Sequence, residues 1–281
     1  MTAPLGMTAP LGMAGPVGPP QPFTLWSDPI RRPGWLNMAI DSTLLERAEA
    51  GERWLRLYAW EPCLSFGRHE PAGRRYDADR IASLGISVVR RPTGGRAVWH
   101  DGELTYAVAA PCTGFGGLRE AYEEIHLVLR DALRSLGAAT ELAPAGAAVP
   151  VDAGACFAAA AGGELLADGG KLVGSAQLRR GTALLQHGSV LLDGDQTIVG
   201  AVSRRGIPAT GGGAERSSTL RRAIGREVGW EEAARSVVSA ARRRWGVSRQ
   251  GAAATPILER AEALAGRFRS PEWTWSGTAS R

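Results

Sequence analysis

The fold is most clearly indicated by two stretches, Arg90–Tyr106, which reads RRPTGGRAVWHDGELTY, and Gly169–Leu192, which reads GGKLVGSAQLRRGTALLQHGSVLL. Each predicts strands next to a glycine pair, and glycine allows close approach of a backbone to its neighbours. The second stretch holds Lys171, the only lysine of the chain, whereas arginine is abundant. An ammonium is a compact point charge that can lie against a carbonyl or a thiolate, which a rigid guanidinium fork cannot replace. Unless its placement is chance, Lys171 is predicted to have a chemical role.

Around these stretches, alternating apolar residues predict strands, and helical spacing predicts helices. The predicted strands are Trp54–Trp60, Cys63–Gly67, Ile86–Arg91, Arg96–Trp99, Glu103–Ala109, Glu164–Leu166, Leu172–Leu178 and Ala183–Leu192. The predicted helices are Leu36–Ala48, Asp77–Leu84, Leu118–Leu136, Ser217–Ile224, Trp230–Trp245 and Pro256–Phe268. Because the strands meet through short turns and the helices are grouped between them, we expect an α+β fold with a mixed, largely antiparallel sheet flanked by helices.

The chain has 281 residues, of which 44% are apolar, and this is enough for a folded core. The repeat MTAPLG and the Gly/Pro-rich residues after it predict a flexible tail at 1–21. We expect one catalytic domain over residues 22–270, helical from about residue 215, and a second tail at 271–281.

Charge and cysteine content restrict the class of protein. The formal net charge of +5 would suit nucleic acid, but acidic and basic residues are mixed along the chain, which favours an acidic protein partner. Cys63, Cys112 and Cys156 are odd in number and form no CxxC pair, so neither a disulfide scaffold nor a zinc site is expected. No apolar run approaches the roughly 20 residues that span a bilayer. The sequence predicts a cytoplasmic protein that binds neither nucleic acid nor membrane.

Cys156 is the candidate nucleophile. It precedes Lys171 by fifteen residues, and two strands joined by a turn would bring residues so spaced near each other. A nearby ammonium favours the thiolate form of cysteine, which could attack an acyl thioester. The alternative is a small buried hydrophobic residue, as most free cysteines are.

The loop Thr93–Ala97 is the candidate substrate loop, because its glycines let backbone N–H groups reach a carbonyl or carboxylate. Arg90, Arg91 and Arg96 add positive charge around it. The alternative interpretation is an ordinary glycine hairpin with solvated arginines. His100 and His187 are further candidates, and for each the alternative is a hydrogen-bonded core histidine. His69 and His126 are expected at the surface.

Taken together, the two stretches resemble the signatures of the superfamily of lipoate-protein ligases, octanoyltransferases and biotin protein ligases. The resemblance extends from about Trp35 to Asp193 and is closest to the Cys-dependent octanoyltransferases. It implies the fold of the biotin/lipoate protein ligase catalytic domain, with Cys156 as acyl-thioester nucleophile and Lys171 as its catalytic partner. The substrate-binding residues that it implies are Arg91, Thr93, Gly94, Gly95, Arg96, Ala97, His100, Gly174, Ser175, Ala176, His187 and Gly188.

The resemblance also implies a reaction: octanoyl transfer from octanoyl-acyl carrier protein, through a cysteine thioester, to a lysine of a lipoyl domain such as that of glycine cleavage H protein. It implies no cofactor and no metal. An ATP-dependent lipoate-protein ligase, an amidotransferase acting between carrier domains, and a non-catalytic basic binding protein are the alternatives. Arg96 stands where related ligases carry a third glycine, which favours a transferase. The segment CFAAAAGGEL departs from the family, whose members usually have a polar residue, a proline and a serine after CF.

Overall fold

The computed structural model describes residues 22–143, 163–204, 216–247, 249–250 and 254–278. The strands are β1 (Thr24–Arg32), β2 (Trp54–Trp60), β3 (Cys63–Phe66), β4 (Ser87–Arg90), β5 (Val98–His100), β6 (Glu103–Pro111), β7 (Glu141–Leu142), β8 (Leu165–Ala167), β9 (Gly170–Arg180), β10 (Ala183–Leu191), β11 (Arg216–Ser217) and β12 (Arg249–Gln250). The α-helices are α1 (Gly34–Glu49), α2 (Ala72–Arg75), α3 (Ala78–Ser83), α4 (Leu118–Ser135), α5 (Thr197–Ala201), α6 (Leu220–Ile224), α7 (Trp230–Trp245), α8 (Ala254–Arg269) and α9 (Pro271–Ser276). Cys156 and the tail expected at 1–21 lie outside the described residues.

One large sheet has the strand order β12-β1-β2-β6-β10-β9-β8-β7, and β11 pairs in parallel with β9. The pairs β12–β1 and β1–β2 are parallel, and the remaining neighbours along this order are antiparallel. A smaller sheet has the order β4-β3-β5. The expectation of an α+β fold with a mixed, largely antiparallel sheet is therefore confirmed.

Helices cover both faces of the large sheet. On one face, α1 and α8 pack together over apolar residues of β2, β6 and β10. On the other face, α4 and α7 pack together over the alternate residues of the same strands. Because β10 is buried on both sides, all nine of its residues are buried, including the polar Gln186, His187 and Ser189. Buried polar groups need hydrogen-bond partners, so these three side chains indicate where polar networks run through the sheet.

The two sheets meet at the loop between β4 and β5, which is the predicted substrate loop. Its outer side lies against the residues after β3: the Arg68 N–H donates to the Thr93 carbonyl at 2.7 Å. A side chain at Gly67 would overlap the backbone of Gly95, so glycine is required for this approach. The residues after β3, a strand of the smaller sheet, therefore hold the loop on this side.

The C-terminal region differs from the tail that the sequence predicts from residue 271. The structure has helix α9 there, capped by the Ser270 hydroxyl, which accepts from the Trp273 N–H. Trp273 is fully buried, and its indole N–H donates to the Arg90 carbonyl at 3.0 Å. The tail prediction is therefore wrong for residues 271–276, because tertiary contacts order a segment too short to show helical periodicity.

Strand β1 is also absent from the predicted elements, although it lies between β2 and β12 within the large sheet. Within the described ranges, no helix combines the length and the apolar character needed to cross a membrane.

Candidate active site

A cleft with an empty volume of about 320 Å³ opens between strands β2, β6, β9 and β10 of the large sheet and Arg91, Val98 and His100 of the smaller-sheet region. Both signature stretches contribute to it. Its lining residues are Tyr58, Trp60, Arg91, Val98, His100, Thr105, Gly174, Ser175, Ala176, His187, Gly188 and Ser189. Seven of the twelve predicted substrate-binding residues are among them, namely Arg91, His100, Gly174, Ser175, Ala176, His187 and Gly188.

His187, on β10, joins the substrate loop to helix α1. Its Nδ1 lies 2.8 Å from Asp41 Oδ2, and its Nε2 lies 2.5 Å from the Thr93 hydroxyl. Burial lowers the pKa of His187, although the Asp41 carboxylate opposes this effect. The imidazole is therefore held neutral, with a carboxylate on one nitrogen and a hydroxyl on the other.

Asp41 is itself held by two other groups. Arg56 Nη1 donates to Asp41 Oδ1 at 3.0 Å, and the Tyr58 hydroxyl donates to Oδ2 at 2.9 Å. Asp41 and Arg56 are fully buried, so this pair is shielded from water. Burial and the charge of Asp41 raise the pKa of Tyr58, which keeps its hydroxyl a donor. Asp41 is thus fixed as an acceptor for the His187 ring.

His100, on β5, has a similar pair of partners. Its Nδ1 lies 2.7 Å from Glu103 Oε1, and its Nε2 lies 2.6 Å from the Ser65 hydroxyl. Trp60 stacks on its ring with a centroid separation of 3.8 Å. The Ser65 oxygen also accepts from Arg91 Nη1 at 2.5 Å. His100 is therefore both a cleft residue and part of a buried network, which combines its two predicted alternatives.

Arg91 shapes the substrate loop. Its Nη2 donates to the carbonyls of Gly94, at 3.1 Å, and Arg96, at 2.7 Å. Gly95 has a φ of 89° and is exposed, and this conformation disfavours any residue with a side chain. Thr93, Gly94, Gly95, Arg96 and Ala97 do not themselves line the cleft; Ala97 packs in the small sheet's core. The guanidinium of Arg91 thus makes the loop curve around it.

On the opposite side, β9 and β10 approach each other closely at the GSAQ segment. A side chain at Gly188 would lie 2.8 Å from both Ser175 Oγ and the Tyr106 ring. Ser175 Oγ lies 2.6 Å from the Tyr106 hydroxyl and 3.0 Å from His126 Nε2. Ser175 therefore connects the cleft to a polar cluster on the α4 face of the sheet.

This cluster contains His126 and Lys171, and the position of His126 contradicts a prediction. His126 is completely buried, so its predicted surface position is wrong; Nδ1 donates to the Tyr122 carbonyl at 2.8 Å. Burial lowers the pKa of His126 to about 4, and the Lys171 charge nearby contributes. Lys171 is 2% exposed, and its Nζ lies 2.8 Å from Glu164 Oε2. The lone lysine is thus a buried ion-pair partner beside the cleft rather than one of its lining residues.

Of the cysteines, Cys63 and Cys112 are buried, and Cys156 lies outside the described residues. Burial raises the pKa of the Cys63 thiol to about 12, which makes a thiolate unavailable at neutral pH. In the part of the chain that the structure describes, no three His, Cys, Asp or Glu side chains come together as a metal site.

Several residues of the site were not predicted from the sequence: Asp41, Tyr58, Ser65, Glu103 and Glu164. A signal existed for Asp41. Asn37 and Asp41 are four residues apart on the same buried face of α1 as Ile40 and Leu44. Polar side chains on an apolar helix face indicate a buried network. For Glu164, the only signal in the sequence was its position after the CF segment.

The fold is shared with solved lipoate-protein ligases. A lipoate-protein ligase A bound with ATP has a TM-score of 0.77 at 21% identity, covering 92% of this chain and 100% of its own. A putative lipoate protein ligase from T. acidophilum with bound lipoic acid has a TM-score of 0.75 at 20% identity, covering 91% and 100%. These similarities show that the protein has the lipoate-protein ligase catalytic fold.

Sequence comparison gives the family. Residues 33–242 match the family model of the lipoyl protein ligase A/B catalytic domain, and the chain belongs to that family. A relative from Symbiobacterium thermophilum, named octanoyltransferase LipM, is 37% identical over 216 residues, which are 72% of this chain and 79% of that protein. The octanoyltransferase LipM of Moorella thermoacetica is 39% identical over 155 residues, 52% of this chain and 56% of that protein. The expected family resemblance is confirmed.

Proposed function

We propose that this protein is an octanoyltransferase that moves an octanoyl group from octanoyl-acyl carrier protein to a lysine of a lipoyl domain, through a thioester at Cys156. One observation carries the proposal. The two signature stretches, more than sixty residues apart in the chain, both line one cleft, the first through Arg91 and His100 and the second through Gly174–Ala176 and His187–Gly188. The relatives named octanoyltransferase LipM support the same reaction.

The proposed chemistry has two halves. Cys156 gives up its proton, its thiolate attacks the carbonyl carbon of the carrier thioester, and the bond from that carbon to the carrier sulfur breaks. The carrier sulfur takes up that proton and leaves as a thiol. The acceptor amine then attacks the new thioester, its nitrogen gives up one proton as the amide forms, and the Cys156 sulfur leaves as a thiolate that takes up this proton. Exchange of one thioester for another needs no nucleotide. Lys171 supplies the positive charge that favours the thiolate and the developing oxyanion.

A mass measurement on the intact protein tests the first half. Incubation with octanoyl-acyl carrier protein, without ATP, should add one octanoyl mass to the wild type and none to Cys156→Ala. Cys63→Ala and Cys112→Ala are matched controls, since both thiols are buried, and they should load like the wild type. A wild type that acquires no octanoyl group contradicts the proposal.

The same assay separates a transferase from a ligase, the class to which the ATP-bound structural neighbour belongs by name. Transfer of octanoate to an acceptor lipoyl domain that requires ATP and survives Cys156→Ala would show a ligase. We expect instead transfer that is independent of ATP and lost with Cys156. Glycine cleavage H protein is the acceptor that we propose for the test.

A further inference from the structure

An open groove lies beside strand β4, and it shares none of its described lining residues with the cleft. Its empty volume is about 1040 Å³. Arg90 lines the groove, whereas Arg91, the next residue, lines the cleft. Successive residues of an extended chain point to opposite sides, so the end of β4 separates the two spaces. We call this space the basic groove, after its lining residues Arg68, His69, Arg74 and Arg90.

The positive charge of the basic groove is not neutralised by its own walls. Arg74 and His69 are exposed, and Arg68 is half-buried. Glu70 is the one carboxylate among the described lining residues, and it is 2% exposed. Its Oε1 accepts from the Tyr76 hydroxyl at 2.7 Å, so this carboxylate is held inside the protein.

The arginines of the basic groove also differ from other arginines at the surface, many of which are paired. Arg226, for example, lies 2.7 Å from Glu232. Neither Arg68 nor Arg74 forms an ion pair with a carboxylate of the described residues. An exposed guanidinium without a carboxylate partner keeps its charge and its fork of donors available to another molecule.

Arg267, near the end of α8, extends the positive surface. The Cζ atoms of Arg68 and Arg267 lie 4.3 and 3.6 Å from the ring centroid of Trp273, so both guanidiniums are held against one buried indole. Partial burial, and then the charges of Arg68 and Arg180, lower the pKa of Arg267. Several cations are therefore concentrated at this place.

The basic groove is in direct contact with the substrate loop. The Arg68 N–H donates to the Thr93 carbonyl at 2.7 Å, and Gly67 lies against the backbone of Gly95. Arg91, which lines the cleft, donates to the carbonyl of Gly94 in the same loop. A molecule bound in the basic groove would therefore lie next to the loop whose conformation a cleft residue supports.

The charge of the basic groove suits one of the two proposed substrates better than the other. Acyl carrier protein is acidic, and its pantetheine arm is joined to the protein through a phosphodiester, so anions surround the base of the arm. The acceptor instead presents a lysine, whose ammonium the guanidiniums beside the substrate loop would repel. Charge complementarity therefore favours the donor.

We propose that the basic groove docks the acyl carrier protein that donates the octanoyl group. The inference rests on the proposed function. Acidic side chains of the carrier and the phosphodiester of its arm would face Arg68, Arg74 and Arg267. Complementary charge of this kind raises the association rate and orients the partner, so the arm would start beside the substrate loop.

Arg74 is the position at which the proposal is best tested. Its guanidinium is exposed and makes no hydrogen bond or ion pair with the described residues, so Arg74→Glu should not disturb the fold. Arg242→Glu is the matched control. It makes the same change of net charge at an exposed position of α7, which packs on the other face of the large sheet from α8.

Binding of holo-acyl carrier protein, which has no acyl group to transfer, measures docking separately from chemistry. At about 50 mM salt, where charges are weakly screened, the dissociation constant should rise about tenfold for Arg74→Glu. It should change less than about twofold for Arg242→Glu. The double variant Arg68→Glu with Arg74→Glu should weaken binding further, to about a hundredfold.

Loading rates with three donors identify the group that the basic groove recognises. The second-order rate constant for octanoyl-acyl carrier protein should fall about tenfold in Arg74→Glu. The rate constant for octanoyl-pantetheine should not change, and this result also shows that the variant is folded. If octanoyl-phosphopantetheine lost as much as the protein donor, the basic groove would recognise only the phosphate of the arm, and docking of the carrier protein would be overturned.

Equal binding of holo-acyl carrier protein by the wild type and Arg74→Glu would overturn the proposal. A loss confined to transfer from the loaded enzyme to the lipoyl domain would also overturn it, because the basic groove would then serve the acceptor. A wild type that binds the carrier through Arg74 but acquires no octanoyl group contradicts the proposed function and still supports the docking surface.

Discussion

At the scale of single residues, the site depends on buried groups whose charge is set by their surroundings. His126 is an example, because Nδ1 donates to the Tyr122 carbonyl and Nε2 faces the Ser175 hydroxyl. Protonation would turn Nε2 into a donor and place a charge in the core, near the Lys171 ammonium. Burial therefore lowers the pKa of His126 to about 4. This histidine links the stability of the fold to pH.

The first prediction concerns that link. Below the unfolded value of about 6.5 the unfolded chain gains a proton that the folded chain does not, so stability falls with pH until the folded pKa near 4 is reached. The loss across this window is about 3 kcal/mol, from roughly 1.4 kcal/mol per pH unit. Denaturant unfolding from pH 7 to 4 should show a shallower loss for His126→Gln than for the wild type. His69→Gln, at an exposed position, should follow the wild type, and identical slopes in all three proteins would refute the assignment.

At the scale of elements, the hairpin of β8 and β9 brings Lys171 and Glu164 together as a buried pair. Taking two charges out of water costs free energy that their attraction only partly returns, so such a pair is weak support for stability. Its presence is better explained by the chemistry proposed for Lys171.

The second prediction tests this explanation. Glu164→Gln should destabilise the protein by about 3–5 kcal/mol, because it removes the buried negative charge that lies 2.8 Å from the Lys171 ammonium. The double variant Glu164→Leu with Lys171→Met should recover most of that loss but transfer no octanoyl group. Urea unfolding and the acyl-loading assay measure the two quantities. A double variant that stays active would show that the pair is structural.

Helix α9 is stabilised by contacts with a residue far away in the chain. Arg90 Nε donates to the carbonyls of Trp273, at 2.8 Å, and Thr274, at 3.0 Å, near the negative end of the helix dipole. Arg90 also belongs to β4, directly before the substrate loop. The helix therefore supports the strand from which that loop starts.

The third prediction follows from the burial of Trp273. Trp273→Ala should lower the free energy of unfolding by about 3–5 kcal/mol, since the change leaves a cavity and removes an indole hydrogen bond. Ser276→Ala, at an exposed position of the same helix, should change it by less than about 0.5 kcal/mol. Chemical denaturation at one pH compares the three proteins, and a loss below about 1 kcal/mol for Trp273→Ala would argue against a structural role for α9.

The sequence predicts a helix or strand best where the hydrophobic pattern of its own residues is enough to identify it. Helix α7 has the predicted bounds because Gly229 and Gly246 flank an amphipathic run of sixteen residues. Helix α9 has six residues and depends on Arg90, which is far away in the chain, so its own residues carry no such pattern. The same limit applies to the site: motif residues were identified from their spacing, whereas Asp41 and Glu103 act through strands and helices that only the fold brings together.

At the scale of the whole molecule, the formal charge of +5 affects how fast the proposed carrier proteins would associate with this protein. Exposed ion pairs such as Arg260–Glu46 and Arg226–Glu232 mix both signs over the surface, as the sequence indicated. A modest positive excess raises encounter rates with acidic proteins without selecting nucleic acid. The proposed carriers are acidic proteins of this kind.

The fourth prediction is a dependence on salt. Raising ionic strength from about 50 to 500 mM should lower kcat/KM for octanoyl-acyl carrier protein by roughly tenfold, because the Debye length shortens below 10 Å. Octanoyl-pantetheine, which delivers the same thioester without a protein, should show little change. Steady-state rates with both donors measure the difference, and equal salt effects would show that the carrier's charge does not contribute.

The burial of the lone lysine has one more consequence. The proposed reaction attaches an acyl group to a lysine amine, so an exposed lysine of the protein itself would compete with the acceptor. Lys171 is buried and paired with Glu164, and the other Lys or Arg residues of the sequence are all arginine, whose guanidinium stays protonated and is a poor nucleophile. The protein therefore has no exposed lysine side chain that could take the place of the acceptor in the proposed reaction, because its one lysine is buried and its other long basic side chains are arginine.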